Sequence, residues 1–319
     1  MKELQVITAT QKPELHKFLS YWKEVKGKAE ILVLFEQHLP YDEEEKQISD
    51  NINARIIKQR TTLPIVNCMP QAWNRNELLT YADAKYVLFH DDWQIPAPDL
   101  VNEHLRYLRK GYYVCGRIIF RDKTDRYDVE IDHRNAGALR KCTYSWFWGC
   151  NSSCPLEDVL AVNGFDNYFN GGTSGEDCDL GMRMQRYSRH QFLYNPKAIT
   201  KHISHVHLDT EKSRMKRAGR IAGCPHNLSP FEYIPEGGHF GDWNLMKSEQ
   251  FEFFFHGGFK YYKCKYCGQV GITDSYAPWI YNRDQNIIRC SWGVEEVKIL
   301  LEEARKNEGT GSSHNNQAT

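Results

Sequence analysis

Residues 31–35, Ile-Leu-Val-Leu-Phe, form an unbroken apolar run with no polar position at either the strand or the helix period. A short run of this kind suits a strand covered on both faces, which belongs to a sheet sandwiched between helices. The preceding chain fits that setting. Leu-Gln-Val-Ile-Thr at 4–8 is a short strand, and Leu15, Phe18, Leu19, Trp22 and Val25 recur at spacings of three and four, which marks one face of a helix. Thr10 is placed to cap that helix and Gly27 to stop it. A second rhythm follows, with a strand at 63–66, a helix over 71–82 and a strand at 85–89. Alternation of this sort predicts an α/β fold with a mostly parallel sheet, helices on both faces, and ligand contacts at the carboxyl ends of the strands.

Charge narrows the function classes. The chain has 41 basic and 41 acidic residues, a formal net charge of zero, which disfavours a protein whose main work is gripping a nucleic-acid backbone but leaves a local basic patch open. The first fifteen residues contain no apolar stretch resembling a signal peptide, and nowhere do about eighteen apolar residues run together, so no membrane span is expected. With no export signal, the ten cysteines are expected to be reduced or metal-bound in a cytoplasmic setting.

Two places carry chemistry. His90, Asp91 and Asp92 follow the strand at 85–89 directly, and adjacent carboxylates at a strand end can hold a hard divalent cation, although they also serve as turn or cap residues. Further on, WFWGCNSSCPLEDVLAVNGFDNYFNGGTSGEDCDLGMRM reads as strand, short helix, Asn-Gly turn, glycine-rich loop and a helix starting near Asp179. Glu176, Asp177 and Asp179 crowd that helix start, where the helix dipole favours carboxylates. Capping explains such a cluster, and so does a general base presented to a cleft from a loop.

In this order and spacing, WNRNELLTYADAKYVLFHDD, GCNSS, NGFD, GEDCDLGMRM and PKAITKH resemble the motif series of family 2-type glycosyltransferases with the GT-A fold, over residues 3–207. GGTSGEDCDL is also similar to the glycine-rich acidic motif of galactosyl- and N-acetylgalactosaminyl-transferases. The resemblance implies transfer of a sugar from a nucleotide-diphosphate donor, most often a UDP-sugar, to an acceptor hydroxyl with inversion. It implies Asp177 as the base, Glu176 as the residue orienting the acceptor, and Glu36 and Arg75 as donor contacts. Asp91, Asp92 and His202, with His205 and His207 nearby, would hold Mn2+ or Mg2+ at the diphosphate. The chain departs from the usual Asp-any-Asp pattern by writing His90-Asp91-Asp92-Trp93, so the pair of ligands could be counted from either His90 or Asp91. The acceptor is expected to be a saccharide, with a hydroxylated nucleic-acid base as the alternative.

The resemblance to a GT-A catalytic domain ends near residue 208. Residues 209–250 begin with a basic run, Lys212, Arg214, Lys216, Arg217 and Arg220, suited to a lid over the diphosphate, and continue as an irregular segment on the acceptor side. Residues 251–307 form a C-terminal extension carrying Cys264-x-x-Cys267-Gly. That knuckle spacing suits structural zinc, with Cys290 as third ligand and His256, Cys224 or His226 as fourth, while a pair of buried thiols is the plain alternative. A last helix over 293–306 shows Val294, Val297, Leu300, Leu301 and Ala304 on one side, and 308–319 is expected to be disordered. Two rivals stand beside the transferase. One is a GT-A-like binding protein with a zinc docking module, and the other a metal-dependent phosphoesterase, which leaves the later motifs unexplained.

Overall fold

The computed structural model describes residues 2–10, 15–35, 43–60, 71–121, 128–129, 137–167, 176–188, 190–203, 251–256, 259–264, 270–272, 288–290 and 293–310. The chain opens with β1 (Leu4–Thr10), α1 (Leu15–Tyr21), β2 (Glu30–Phe35), α2 (Glu43–Asn51), β3 (Ala54–Lys58), α3 (Gln71–Leu79) and β4 (Tyr86–His90). It continues with β5 (Gln94–Pro96), α4 (Leu100–Leu108), β6 (Tyr112–Arg121), β7 (Asp128–Val129), β8 (Arg140–Cys142), β9 (Asn151–Pro155), α5 (Leu156–Ala161), α6 (Glu176–Ser188) and β10 (Gln191–His202). Strands β11 (Phe251–His256), β12 (Phe259–Cys264) and β13 (Val270–Ile272) form a separate antiparallel sheet, and α7 (Val294–Thr310) closes the described chain.

The main sheet runs in the order β3-β2-β1-β4-β9-β6-β10-β5, with β7 on β6 and β8 on β10. β3, β2, β1 and β4 are parallel to one another. β9 is antiparallel to both β4 and β6, and β6 is parallel to β10, so six of the eight strands in this order point the same way. The sheet is therefore mostly parallel, as expected. The strand expected at 63–66 lies outside the described residues, and the sequence reading missed α2 and β3, which pairs with β2 in parallel.

Period-two alternation builds two cores from the same strands. Ile31, Val33 and Phe35 of β2 pack with Leu15, Phe18 and Leu19 of α1 and with Leu100, Val101 and Leu105 of α4. Leu32 and Leu34 face the other way, toward Leu78 and Leu79 of α3, Val159 of α5 and Leu180 of α6. The apolar run at 31–35 is thus buried on both sides, which is why none of its positions is polar.

The final helix joins the main domain. Val294 is part of the core formed by α3, α5 and α6, and Val297 and Leu301 pack on Trp73. Leu300, read as part of the same apolar face, is 36% exposed. Asn163, which follows α5 in a left-handed conformation (φ 65°), anchors the start of α7. Its Oδ1 accepts from the Glu295 N–H at 2.9 Å and its carbonyl accepts from the Val294 N–H at 3.0 Å. These bonds satisfy helix-start donors from a residue more than a hundred positions away.

Gly164 completes this turn at φ +68°, and a Cβ there would lie 2.3 Å from Val294 Cγ2 and 2.5 Å from Asn76 Oδ1. Gly164→Ala combines an unfavourable left-handed backbone with overpacking, so we expect a loss of about 1–3 kcal/mol in urea unfolding. Unchanged stability would mean that α7 does not sit on this turn.

Candidate active site

Alternation along β4 decides which residues reach the site. Tyr86 and Leu88 enter the core shared with α1 and α4, whereas Val87 and Phe89 enter the core shared with α3 and α6. His90 continues the first series. It is 1% exposed, its ring centroid lies 5.0 Å from that of Trp22, and its Nε2 is 3.0 Å from Thr200 Oγ1. Burial, with a smaller push from His104, lowers its pKa to about 3, so it is a neutral core residue. The reading that counted His90 as a cation ligand is therefore corrected, because its ring faces the α1 side of the sheet.

Asp91 and Asp92 lie beyond the strand end. Asp92 Oδ2 accepts from Thr10 Oγ1 at 2.9 Å. Thr10 is the last residue of β1 and is tied to the acidic turn. A pocket lined by Thr10, Lys17, Phe18, Tyr21, Asp92, Trp93 and Ile203 opens beside this contact. Asp91 meets Arg75 of α3, whose Nη2 lies 3.2 Å from its Oδ1. Burial, opposed by Arg75 and helped by the charges of Asp92 and Glu176, pushes the Asp91 carboxyl up to about 6. Its side chain nevertheless keeps 37% exposure, enough for a cation to reach it.

Arg75 also donates from Nη1 to Glu176 Oε1 at 2.8 Å, at the start of α6. Burial and the neighbouring Asp177 charge raise the Glu176 pKa, while Arg75 pulls it down. Burial likewise works against the Arg75 charge, but Glu176, Asp91 and Asp177 outweigh it and its pKa is raised. The half-buried Asp177 is held by backbone: Oδ2 accepts from the Gly149 N–H at 2.9 Å and Oδ1 from the Cys178 N–H at 2.7 Å. These bonds fix the carboxylate plane, and an ionised carboxylate offers about four lone-pair directions, so acceptor capacity remains.

Asp179 separates from its neighbours. It and Arg183, four residues later, are both fully buried, with Nε to Oδ2 at 2.8 Å. The Arg183 guanidinium also donates to the carbonyls of Val162 at 2.6 Å and Gly164 at 2.7 Å, closing the end of α5. Of the three carboxylates at the α6 start, Glu176 and Asp177 belong to the site and Asp179 belongs to the core. Asn76, the partner of Arg75 in the Arg-Asn motif, is also structural, bonding the backbone of Phe165 through both ends of its amide.

Gly149 had no role in the sequence reading, although GCNSS contained it. Its backbone links Asp177 to Arg75, and a Cβ there would lie 2.7 Å from Arg75 Cζ. Beside it the half-buried Tyr144, Trp146 and Trp148 lie between β8 and β9, with the Arg140 guanidinium 4.9 Å over the Trp146 ring.

The remaining candidates divide. His202 pairs in register with Gln94, and the N–H of the following Ile203 donates to the Trp93 carbonyl at 2.8 Å, which brings this strand end to the acidic turn. Among the described residues, however, no three His, Cys, Asp or Glu side chains converge on a metal position, so the expected Asp91, Asp92 and His202 set is not assembled. Mn2+ and Mg2+ sites of this kind need only one or two carboxylates completed by substrate phosphates and water, and Asp91 and Asp92 fit that requirement. Cys290 is buried in the main domain, where its thiol lies 3.4 Å from the Asn163 carbonyl. Cys264 and His256 are placed on β12 and β11. Glu36, Cys267, Cys224, His226, His205, His207, residues 171–175 and the basic run at 211–220 lie outside the described residues, and of the tail expected to be disordered over 308–319, residues 308–310 belong to α7 and 311–319 lie outside them.

The mostly parallel sheet with helices on both faces is the GT-A fold. Residues 133–208 match the family described as N-terminal domain of galactosyltransferase. The fold resembles Staphylococcus aureus TarS 1–349 in complex with UDP-GlcNAc, with a TM-score of 0.51 and 12% identity over 64% of this chain and 59% of that one. It is similar in the same degree to GalNAc-T7 with UDP, GalNAc and Mn2+, with a TM-score of 0.51 and 11% identity over 65% of this chain and 45% of that one. The chain thus covers less than two-thirds of the length of either structure. Among curated proteins none matches by sequence. No helix among the described residues is long and apolar enough to cross a membrane.

Proposed function

We propose that the protein is an inverting glycosyltransferase that moves a sugar from a nucleotide-diphosphate donor, a UDP-sugar, to an acceptor hydroxyl. The observation that carries this reading is the pairing of Asp177, oriented by the Gly149 and Cys178 N–H groups, with an acidic turn at the carboxyl end of β4. Asp177 would take the proton of the attacking hydroxyl. Glu176, fixed by Arg75, would orient that hydroxyl. Asp92 and Asp91 would hold a divalent cation, which as a Lewis acid stabilises charge on the departing diphosphate. The pocket at Thr10, Tyr21 and Asp92, beside that turn, would receive part of the donor. The UDP and Mn2+ in the GalNAc-T7 structure favour the same donor class and cation. For the acceptor, the aromatic segment Tyr144, Trp146 and Trp148, which leads into the Gly149 that bonds Asp177, favours a saccharide, because sugar faces pack on aromatic rings.

A panel of nucleotide sugars, assayed by thermal shift with and without Mn2+ and by release of nucleoside diphosphate, tests this reading. A UDP-sugar is expected to raise the melting temperature more with Mn2+ than without it. Asp92→Ala should remove the Mn2+-dependent part of that shift and leave the unliganded melting temperature within about 2 °C, a change of under about 0.5 kcal/mol for a half-exposed side chain. A wild-type chain that binds no nucleotide sugar would overturn the proposal. Equal shifts with and without Mn2+ would overturn the cation.

A further inference from the structure

Arg75 is matched by sequence to a nucleotide contact, but its guanidinium is committed inside the protein. It is 7% exposed, and its fork reaches three separate parts of the chain. Nη1 donates to Glu176 Oε1 at 2.8 Å, and Nη2 lies 3.2 Å from Asp91 Oδ1 and 3.4 Å from the Gly149 carbonyl. The ring of Phe165 supports the guanidinium at 5.3 Å. The other end of the Gly149 residue donates its N–H to Asp177 Oδ2. One rigid planar group therefore spans the end of β4, the segment before β9 and the start of α6. Its electrostatics run the same way, since Arg75 faces Asp91, Glu176 and Asp177 together.

We propose that Arg75 is a positioning residue and not a donor ligand. It holds Glu176 directly and Asp177 through Gly149, and it takes Asp91 as counter-ion so that Asp92 is the main carboxylate presented to the cation. The inference rests on the transferase reading above. Its consequence is a division of effects. Removing Arg75 releases the base and the acceptor-orienting carboxylate, and misplacement of reacting groups by about 1 Å can cost about 10²-fold in rate. Donor affinity has a smaller stake, through Asp91 alone, because Asp92 remains the main carboxylate for the cation when Arg75 is removed. Lysine carries the charge but not the fork, so it can serve one carboxylate at a time. Gly149→Ala displaces the guanidinium while leaving Arg75 in the chain, because the new Cβ would meet Cζ at 2.7 Å.

The test compares wild type, Arg75→Met, Arg75→Lys, Gly149→Ala and the Arg75→Met/Glu176→Gln double variant. Turnover and acceptor KM are measured kinetically, donor Kd by calorimetry with Mn2+, and folding by circular dichroism. Arg75→Met is expected to lose about 10²-fold in turnover with donor Kd within about threefold of wild type, and Arg75→Lys to recover part of the loss. Adding Glu176→Gln to Arg75→Met should cost little more, because the two groups act as one unit. If Arg75→Met fails to fold, Arg75→Lys and Gly149→Ala carry the same comparison of turnover against donor Kd. A donor Kd that rises about tenfold or more in step with the turnover loss, or additive losses in the double variant, would overturn the positioning role. Such a result in a chain whose wild type transfers sugar leaves the transferase reading standing. A wild type that transfers from no donor overturns both.

Discussion

Asp177→Asn is expected to lower turnover by about 10²–10⁴-fold, the usual contribution of a positioned general base. The substitution keeps the volume of the side chain and removes its ability to take a proton from the attacking hydroxyl. Asparagine offers a single acceptor oxygen, so it can satisfy either the Gly149 N–H or the Cys178 N–H but not both. A stability loss of about 1 kcal/mol is expected from that bond. Donor Kd should stay close to wild type, because the lost interaction belongs to the transition state. Product from the first turnover, examined by NMR, should carry the anomeric configuration opposite to that of the donor. Retention, or an Asp177→Asn enzyme of undiminished turnover, would take the base role away from Asp177.

Arg183→Met is expected to cost about 3–5 kcal/mol of stability, the range for breaking a buried ion pair from one side. The change takes the guanidinium away from the fully buried Asp179, and it removes one donor from each of the Val162 and Gly164 carbonyls. Because those carbonyls flank Asn163 in the turn that receives α7, loosening should spread to the Asn163 anchor. Urea unfolding measures the loss, and amide exchange at Val294 and Glu295 reports the spread. The contrast with Asp177→Asn is the informative part. Two carboxylates two residues apart on one helix should divide cleanly, one into catalysis and the other into stability. A mild effect of Arg183→Met, under about 1 kcal/mol, would show that Asp179 finds another way to be satisfied.

Much of this arrangement was legible in order and periodicity. The apolar run at 31–35 required cover on both faces, and the two cores supply it. The period of two along β4 puts His90 on the face opposite Phe89, but the sequence could not say which helices cover each face. That depended on α3 bringing Arg75 to Asp91 and on Trp22, in the turn after α1, packing on the His90 ring. The motif series likewise placed Glu176, Asp177 and Asp179 together at a helix start without dividing them. On a helix, residues two places apart, such as Asp177 and Asp179, point to nearly opposite sides, and only the packing of α5 against α6 shows that Asp179 turns inward to Arg183.

The sequence by itself determined the α/β class and the acidic strand end, because these follow from local periodicity and from residue chemistry at neighbouring positions, while Asp177 stands as candidate base through the resemblance of the motif series. Tertiary structure alone decided the rest. Gly149 is a glycine because Arg75 passes within 2.7 Å of where its Cβ would be, across a separation of 74 residues. Asn163 receives α7 across more than 120 residues, and Cys290 is drawn into the same turn. Contacts of that separation leave no period in the chain, since the residues that make them are brought together only when the sheet and its two helical layers have formed.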